Sequence, residues 1–303
     1  MGAIADIVFQ FGEFKNESDS SLSDFLINLS SALVGTGTAL WVFYLTSEAD
    51  KRKREDIDKI NIFQKMQYFT SLVESVYDLS RLQSEHIKVF YENQLKDTLN
   101  IPMLTYLPSN NIKRLSELNK HDEYFNAYVN AFDNSLDDIK QWRNLLAIID
   151  FLNEQTMQIH EILRKSIDFD FERKTKYKEI VEEAMDKTAS LFNDAKNVNK
   201  VDEFATFLNQ SLIDFYDKVT DYSDLSQFQS LFVDPVKAGI IEKFMNIDSA
   251  VLLIGELKKA TFVYTQIKYS NNSLAEDFKE IYKNYKTNSI KLEKVLTKLV
   301  EKF

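Results

Sequence analysis

Three histidines, His86, His121 and His160, are the residues whose spacing could signal acid–base or metal chemistry, and the sequence contains no Cys to serve as a thiol nucleophile or thiolate ligand. His160-Glu161 opens like a helical zinc motif, but Arg164 stands four residues on, where the second histidine is required, so the ligand pair is missing. His121-Asp122 has His86 upstream and Asp133 downstream. Arg81-Leu-Gln-Ser-Glu-His86 puts a guanidinium and an imidazole five residues apart. No glycine-rich phosphate loop or nucleophile elbow occurs, and carboxylate pairs are common in a chain with 47 acidic residues. The expectation is a protein that is not an enzyme, with no metal and no cofactor.

The elements that carry these residues are helices. Among 303 residues only six are Gly and three Pro, and no Gly lies between Gly37 and Gly239. Tight hairpins and other positive-φ backbone are therefore scarce. Hydrophobic residues make up 44% and charged residues 28%, enough apolar material for a real core. Apolar residues recur at threes and fours from Ile57 to about Leu99. Pro102 and Pro108, followed by Ser109-Asn110-Asn111, mark a break. Beyond it, one or two helices are expected from Ile112 to about Ser166 and another from Phe169 to Asn197. Further helices are expected at Val201–Asp221, Leu225–Phe232, Pro235–Asn246, Asp248–Tyr269 and Ser273–Phe303. Pro235 suits a first helical turn, and Ser273 with Glu276 has capping-box spacing.

One segment stands apart. Residues 25–45, FLINLSSALVGTGTALWVFYL, carry no charge, and ten of them are Leu, Ile, Val or Phe. As a helix they would cover about 32 Å, the depth of a bilayer's hydrocarbon layer. The preceding residues are acidic and the run is too long for a secretory signal, so a membrane span is expected. Trp41 and Tyr44 fall where aromatic rings prefer the interface. Lys51, Arg52, Lys53 and Arg54 follow, placing the C-terminal side in the cytoplasm and the N-terminus outside. Residues 3–14 are short and apolar enough to lie along the outer surface. The expected organisation is all-α. It has an extracytoplasmic tail (1–24), a single N-terminal transmembrane helix (25–45), a stalk-like helix (46–100) and a cytoplasmic multi-helix bundle (101–303).

The span has two unlike faces. Asp24, Asn28, Ser31, Gly35 and Thr38 fall within about 80° of arc, opposite Leu26, Leu29, Leu33, Leu40 and Tyr44. A polar face is unfavourable against lipid and must meet protein or water, most simply another copy of the chain. The face then either packs an oligomer or lines a pore. Charge is also uneven, since residues 254–303 hold ten Lys against six acidic residues. Lys291, Lys294, Lys298 and Lys302 share a face of the last helix, a solvated face or a contact for an acidic partner, a nucleotide or the membrane surface. The acidic remainder argues against duplex DNA.

Three resemblances attach to these residues. The Arg81–His86 spacing resembles that of HEPN ribonucleases, an all-helical family, although Leu82 replaces their usual polar residue. The order of His86, His121-Asp122 and Asp133 resembles that of the ligands in HD phosphohydrolases. The architecture, with the seam Asn28, Ser31, Gly35 and Thr38, resembles membrane-anchored helical effectors of bacterial anti-phage defence, both abortive-infection proteins and the channel-forming effector of Hailong-type systems. The Phe, Ile, Lys and Asn bias suits an AT-rich bacterial genome. This last resemblance implies an inner-membrane homo-oligomer that permeabilises the membrane when its cytoplasmic body is triggered by a regulatory protein or small nucleotide. A non-conducting scaffold or signalling adaptor and a membrane-tethered HEPN-type ribonuclease are the alternatives.

Overall fold

The computed structural model describes residues 21–118, 122–132, 135–198 and 202–302, with side chains from residue 25 onward. The described residues are all-α and include no strand. The elements are α1 (Ser21–Lys96), α2 (Asn110–Leu118), α3 (Asp122–Ala131), α4 (Leu136–Asn197), α5 (Glu203–Lys218), α6 (Leu225–Phe228), α7 (Asp234–Gly239) and α8 (Asp248–Lys302). Two π turns, Gln229–Val233 and Ile240–Phe244, follow α6 and α7. The chain divides into two compact units, Met1–Phe63 and Gln64–Phe303. The tail segment 3–14, His121 and Asp133 lie outside the described residues.

The first unit is described as the N-terminal part of α1. It is helical because nothing in it breaks a helix. Residues 21–63 have no Pro, the two glycines among them (Gly35, Gly37) lie in the apolar stretch, and Arg52 reaches back one turn to Glu48 at 2.9 Å. By length and composition α1 is the one helix among the described residues that could cross a membrane, and none of its apolar window is buried against the rest of the chain.

The second unit is a three-helix bundle elaborated at both ends. Its α1 residues bury a seam at Met66, Phe69, Val73, Val76, Ser80, Gln83, Ile87, Phe90 and Gln94, alternating steps of three and four. That is the heptad rhythm of helices packed at a shallow angle. α4 follows the same rhythm from Trp142 to Thr188, and α8 from Ala250 to Leu299. Cross-links fix the directions. Gln141 meets Lys298, Thr156 meets Tyr285, Asp170 meets Asn271 and Lys187 meets Glu256, so α4 and α8 are antiparallel over their full length. Phe90 packs on Phe278 at 4.4 Å and Phe69 on Trp142 at 5.0 Å, which sets α1 antiparallel to α8 and parallel to α4.

One end of the bundle is closed by α2 and α3, whose Phe125 and Tyr128 surround Trp142. Burial pushes the Tyr128 phenol up to about 12. The other end holds a second apolar core, where Phe215, Phe228, Phe232, Phe244 and neighbours from α5 to the second π turn pack on α4 and α8. Gly239 permits the closest approach there, since a Cβ at that position would collide with the Phe207 ring of α5.

The expected boundaries differ at four places. α4 runs unbroken through 166–169, and α8 runs through 270–273, so Ser273 caps nothing. Helix starts occur instead at Asp122, after residues 119–121, and at Leu136, where Ser135 and Asp138 form a capping box. Pro235 does stand in the first turn of α7, but a π turn leads into it. There Asp234 N–H donates to the Gln229 carbonyl five residues back, and the wider turn relieves the crowding a proline ring imposes on a helix.

Candidate functional site

The polar seam of the first unit is displayed on a helix with little else around it. Asn28, Ser31, Gly35 and Thr38 are all exposed, and a Cβ added at Gly35 or Gly37 would meet nothing within 4 Å. Thr38 Oγ1 donates to the Val34 carbonyl at 2.7 Å, and Thr46 Oγ1 to Val42 at 2.9 Å. These hydroxyls are thus satisfied inside the helix and still have lone pairs to offer a neighbour. Asn28 and Ser31 make no side-chain hydrogen bond among the described residues. With one acceptor and two donors uncommitted, Asn28 has the largest unmet hydrogen-bonding capacity on this face. Asp24 lies in the first turn of α1, but its side chain is outside the described residues. Trp41 and Tyr44 are 65% and 64% exposed, and the basic run from Lys51 to Arg54 projects into solvent apart from the Arg52–Glu48 pair.

The lysine row of α8 divides in two. Lys298 donates to Gln141 Oε1 of α4 at 3.0 Å, and Lys302 lies over the Phe132 ring at 5.9 Å. Lys291 and Lys294 make neither kind of contact. They stand on the rim of a cavity of about 470 Å³ between α4 and α8.

His121 lies outside the described residues, and the other two histidines stand on different helices, His86 on α1 and His160 on α4. His160, on α4, stacks on Tyr106 at 3.9 Å with the rings 17° apart, while Glu161 pairs with Lys165. That pairing lowers the Glu161 carboxyl. His86 is half-buried on α1 with Nδ1 unpaired. Arg81 is exposed and faces Asp78 at 3.9 Å. Five residues along a helix turn a side chain by about 140°, so Arg81 and His86 leave α1 in different directions. Among the described residues no group of three or more His, Asp or Glu could hold a metal ion.

Two buried polar clusters escaped the reading of the sequence. Around the first π turn, Gln229 accepts from the Tyr177 hydroxyl at 3.1 Å and donates to Asp234 at 2.8 Å. Lys237 Nζ reaches both Asp234 and Thr261 at 2.9 Å. Burial, then the neighbouring Tyr264 and Asp234, raise the Tyr177 phenol, which stays protonated as a donor. Its polar groups pair with one another, and Asp234 stands at its solvent-exposed edge. Asp234-Pro235 was its only trace in the sequence. Midway along the bundle, Asn271 donates to Asp170 at 2.9 Å and to the Thr98 carbonyl at 3.1 Å, and Lys174 closes on Asp170 at 2.8 Å.

Comparison with known proteins gives no match: no family model, no curated relative and no solved structure aligns with the chain.

Proposed function

We propose that this chain is a single-pass protein of the bacterial inner membrane, with its N-terminus outside and its helical body in the cytoplasm. Copies assemble through the Asn28–Thr38 seam into an ion-conducting pore. The body gates the pore in response to a cytosolic protein or small nucleotide that binds the two states differently. In this reading the protein is an effector of anti-phage defence.

The observation that carries the reading is the bare apolar helix. Leu33 and Val34 are 65% and 68% exposed within the chain, as are most residues of 25–45. Each such side chain forgoes about 1.5–3 kcal/mol by remaining in water, so hydrocarbon is the environment that accounts for the segment. The orientation rests on Lys51, Arg52, Lys53 and Arg54 against one Lys before the span. Purified protein in liposomes is expected to release a trapped ion, and Thr38→Leu to reduce that flux at least tenfold. Protein that incorporates but never conducts, with or without the product of its neighbouring gene, would refute the pore. The open space at Gly35 and Gly37 equally suits close helix packing, and a non-conducting oligomeric scaffold is the reading such a result would leave.

A further inference from the structure

We infer that the groove between the start of α4 and the end of α8 is a nucleotide site, with Lys291 and Lys294 holding the phosphates. The inference rests on the cytoplasmic placement proposed above and names the class of small molecule that body would sense.

The groove's charge is uncompensated. Two exposed lysines of α8 have a carboxylate partner one turn away, Lys259 with Glu256 and Lys279 with Glu276. Lys291 and Lys294 have none. Their neighbours three and four residues off are Thr287, Asn288, Ile290, Val295, Thr297, Lys298 and each other. Like charges at that spacing repel, a cost with no return inside this chain. The carboxylate nearest in sequence, Glu293, leaves α8 about 160° from Lys291 and lies against the Tyr77 hydroxyl of α1. That phenol is pushed up by its burial and then by the carboxylate. On the α4 side, Asp137 pairs with Lys140, Asp138 is held in the capping box and Asp150 accepts from Ser116. No carboxylate lines the groove. An anion is the missing partner.

The rest of the lining selects what kind of anion. The floor is apolar, made by Ile148 and Phe151 of α4 with Val295 of α8, and suits the flat face of a base. Three amides, Gln141, Asn144 and Asn288, border it. Asn288 donates to the Asn284 carbonyl at 3.0 Å, leaving its oxygen as an acceptor, while the Lys298–Gln141 bond closes one end. Amides donate and accept, as reading a base edge requires. The α8 wall spans only residues 288–295, about 10 Å, far less than an interface for a folded partner needs. A volume of about 470 Å³ is in the range of small-ligand sites.

Binding of ATP to the full-length protein in detergent, measured by calorimetry, tests the assignment. We expect saturable binding that weakens at least tenfold in Lys291→Glu/Lys294→Glu. It should weaken no more than twofold in Lys258→Glu/Lys283→Glu, which makes the same charge change on exposed α8 residues outside the groove. Asn288→Leu, which removes no charge, should also weaken ATP but not tripolyphosphate. Absence of saturable binding, equal loss in both charge-reversed pairs, or tripolyphosphate or an oligoglutamate peptide competing as well as ATP would each overturn it. The readout needs no flux, so a protein that binds but never conducts refutes the pore alone, and one that conducts without binding refutes the groove alone.

Discussion

Asp170 is the one charged side chain buried among the described residues, and its partners explain why it is tolerated. Both carboxylate oxygens are used, one by Asn271 and one by Lys174. Asp170→Ala would strand both partners, and urea unfolding should reveal a loss of about 2–3 kcal/mol. Gly239→Ala forces a methyl into the Phe207 ring, itself packed 5.3 Å from Phe244. A loss of about 1 kcal/mol or more is expected, with partial rescue when Phe207→Leu is added. Individual residues also separate the functional readings. If toxicity comes from the membrane seam, His86→Ala leaves it intact in expressing cells while Thr38→Leu removes it. The reverse pattern would favour a HEPN-type ribonuclease. The same residues mark where the sequence was hard to read. Asp170 in KSIDFDFERK and Asn271 in KYSNNSLAE resemble helix ends because polar residues cluster there. They are in fact the two halves of one buried layer, each occupying a core position of an unbroken helix, and that pairing is visible only across the bundle.

For the helices, the seam of α1 makes the sharpest prediction, and the absence of Cys makes it clean. With a single Cys introduced at Ser31 or Gly35, membranes treated with copper phenanthroline should yield a disulfide-linked dimer. Cys at Leu33 or Leu40, on the opposite side, should not. Equal cross-linking at all four would mean random collision. A second test concerns the turn before α6. Asp224 caps that helix by accepting from the Ser226 hydroxyl and backbone N–H, which lower its carboxyl below the ordinary range. Lys259 and Lys187 lower Glu256 in the same way. Depressed groups bind fewer protons in the folded state. Their contribution is complete above the unfolded carboxylate pKa and is lost as pH falls through the folded one. Melting temperature should therefore drop on the acid side, and drop less steeply in Asp224→Asn/Glu256→Gln. Helix existence was legible from period and from the rarity of Gly and Pro, and so was the break at Pro102. The joins at 166–169 and 270–273 were not, because a heptad core admits a polar layer and a one-dimensional pattern cannot tell that from an end.

At the scale of the molecule, segregation is the main fact. The bare apolar helix belongs to one compact unit, and the heptad seams and aromatic ends belong to the other. Expressed in bacteria, the chain should sediment with membranes and resist extraction by high salt or carbonate, whereas a chain lacking residues 1–45 should not. The long uncharged apolar segment and the lysine row were readable from the order of residues alone. The division of that row into two engaged and two unpaired lysines was not, since it depends on which residues α4 sets opposite. The Asp170–Asn271 bond has one more implication. It sits near the middle of two antiparallel helices whose other core positions are largely interchangeable aliphatic and aromatic groups. Sliding α8 along α4 by a heptad would keep most greasy contacts but bring Tyr264 or Phe278 opposite Asp170 in place of Asn271, leaving one carboxylate oxygen without its partner. The bond therefore sets the register of these two helices, and a heptad-sized slip between them carries the cost of an unpaired carboxylate oxygen.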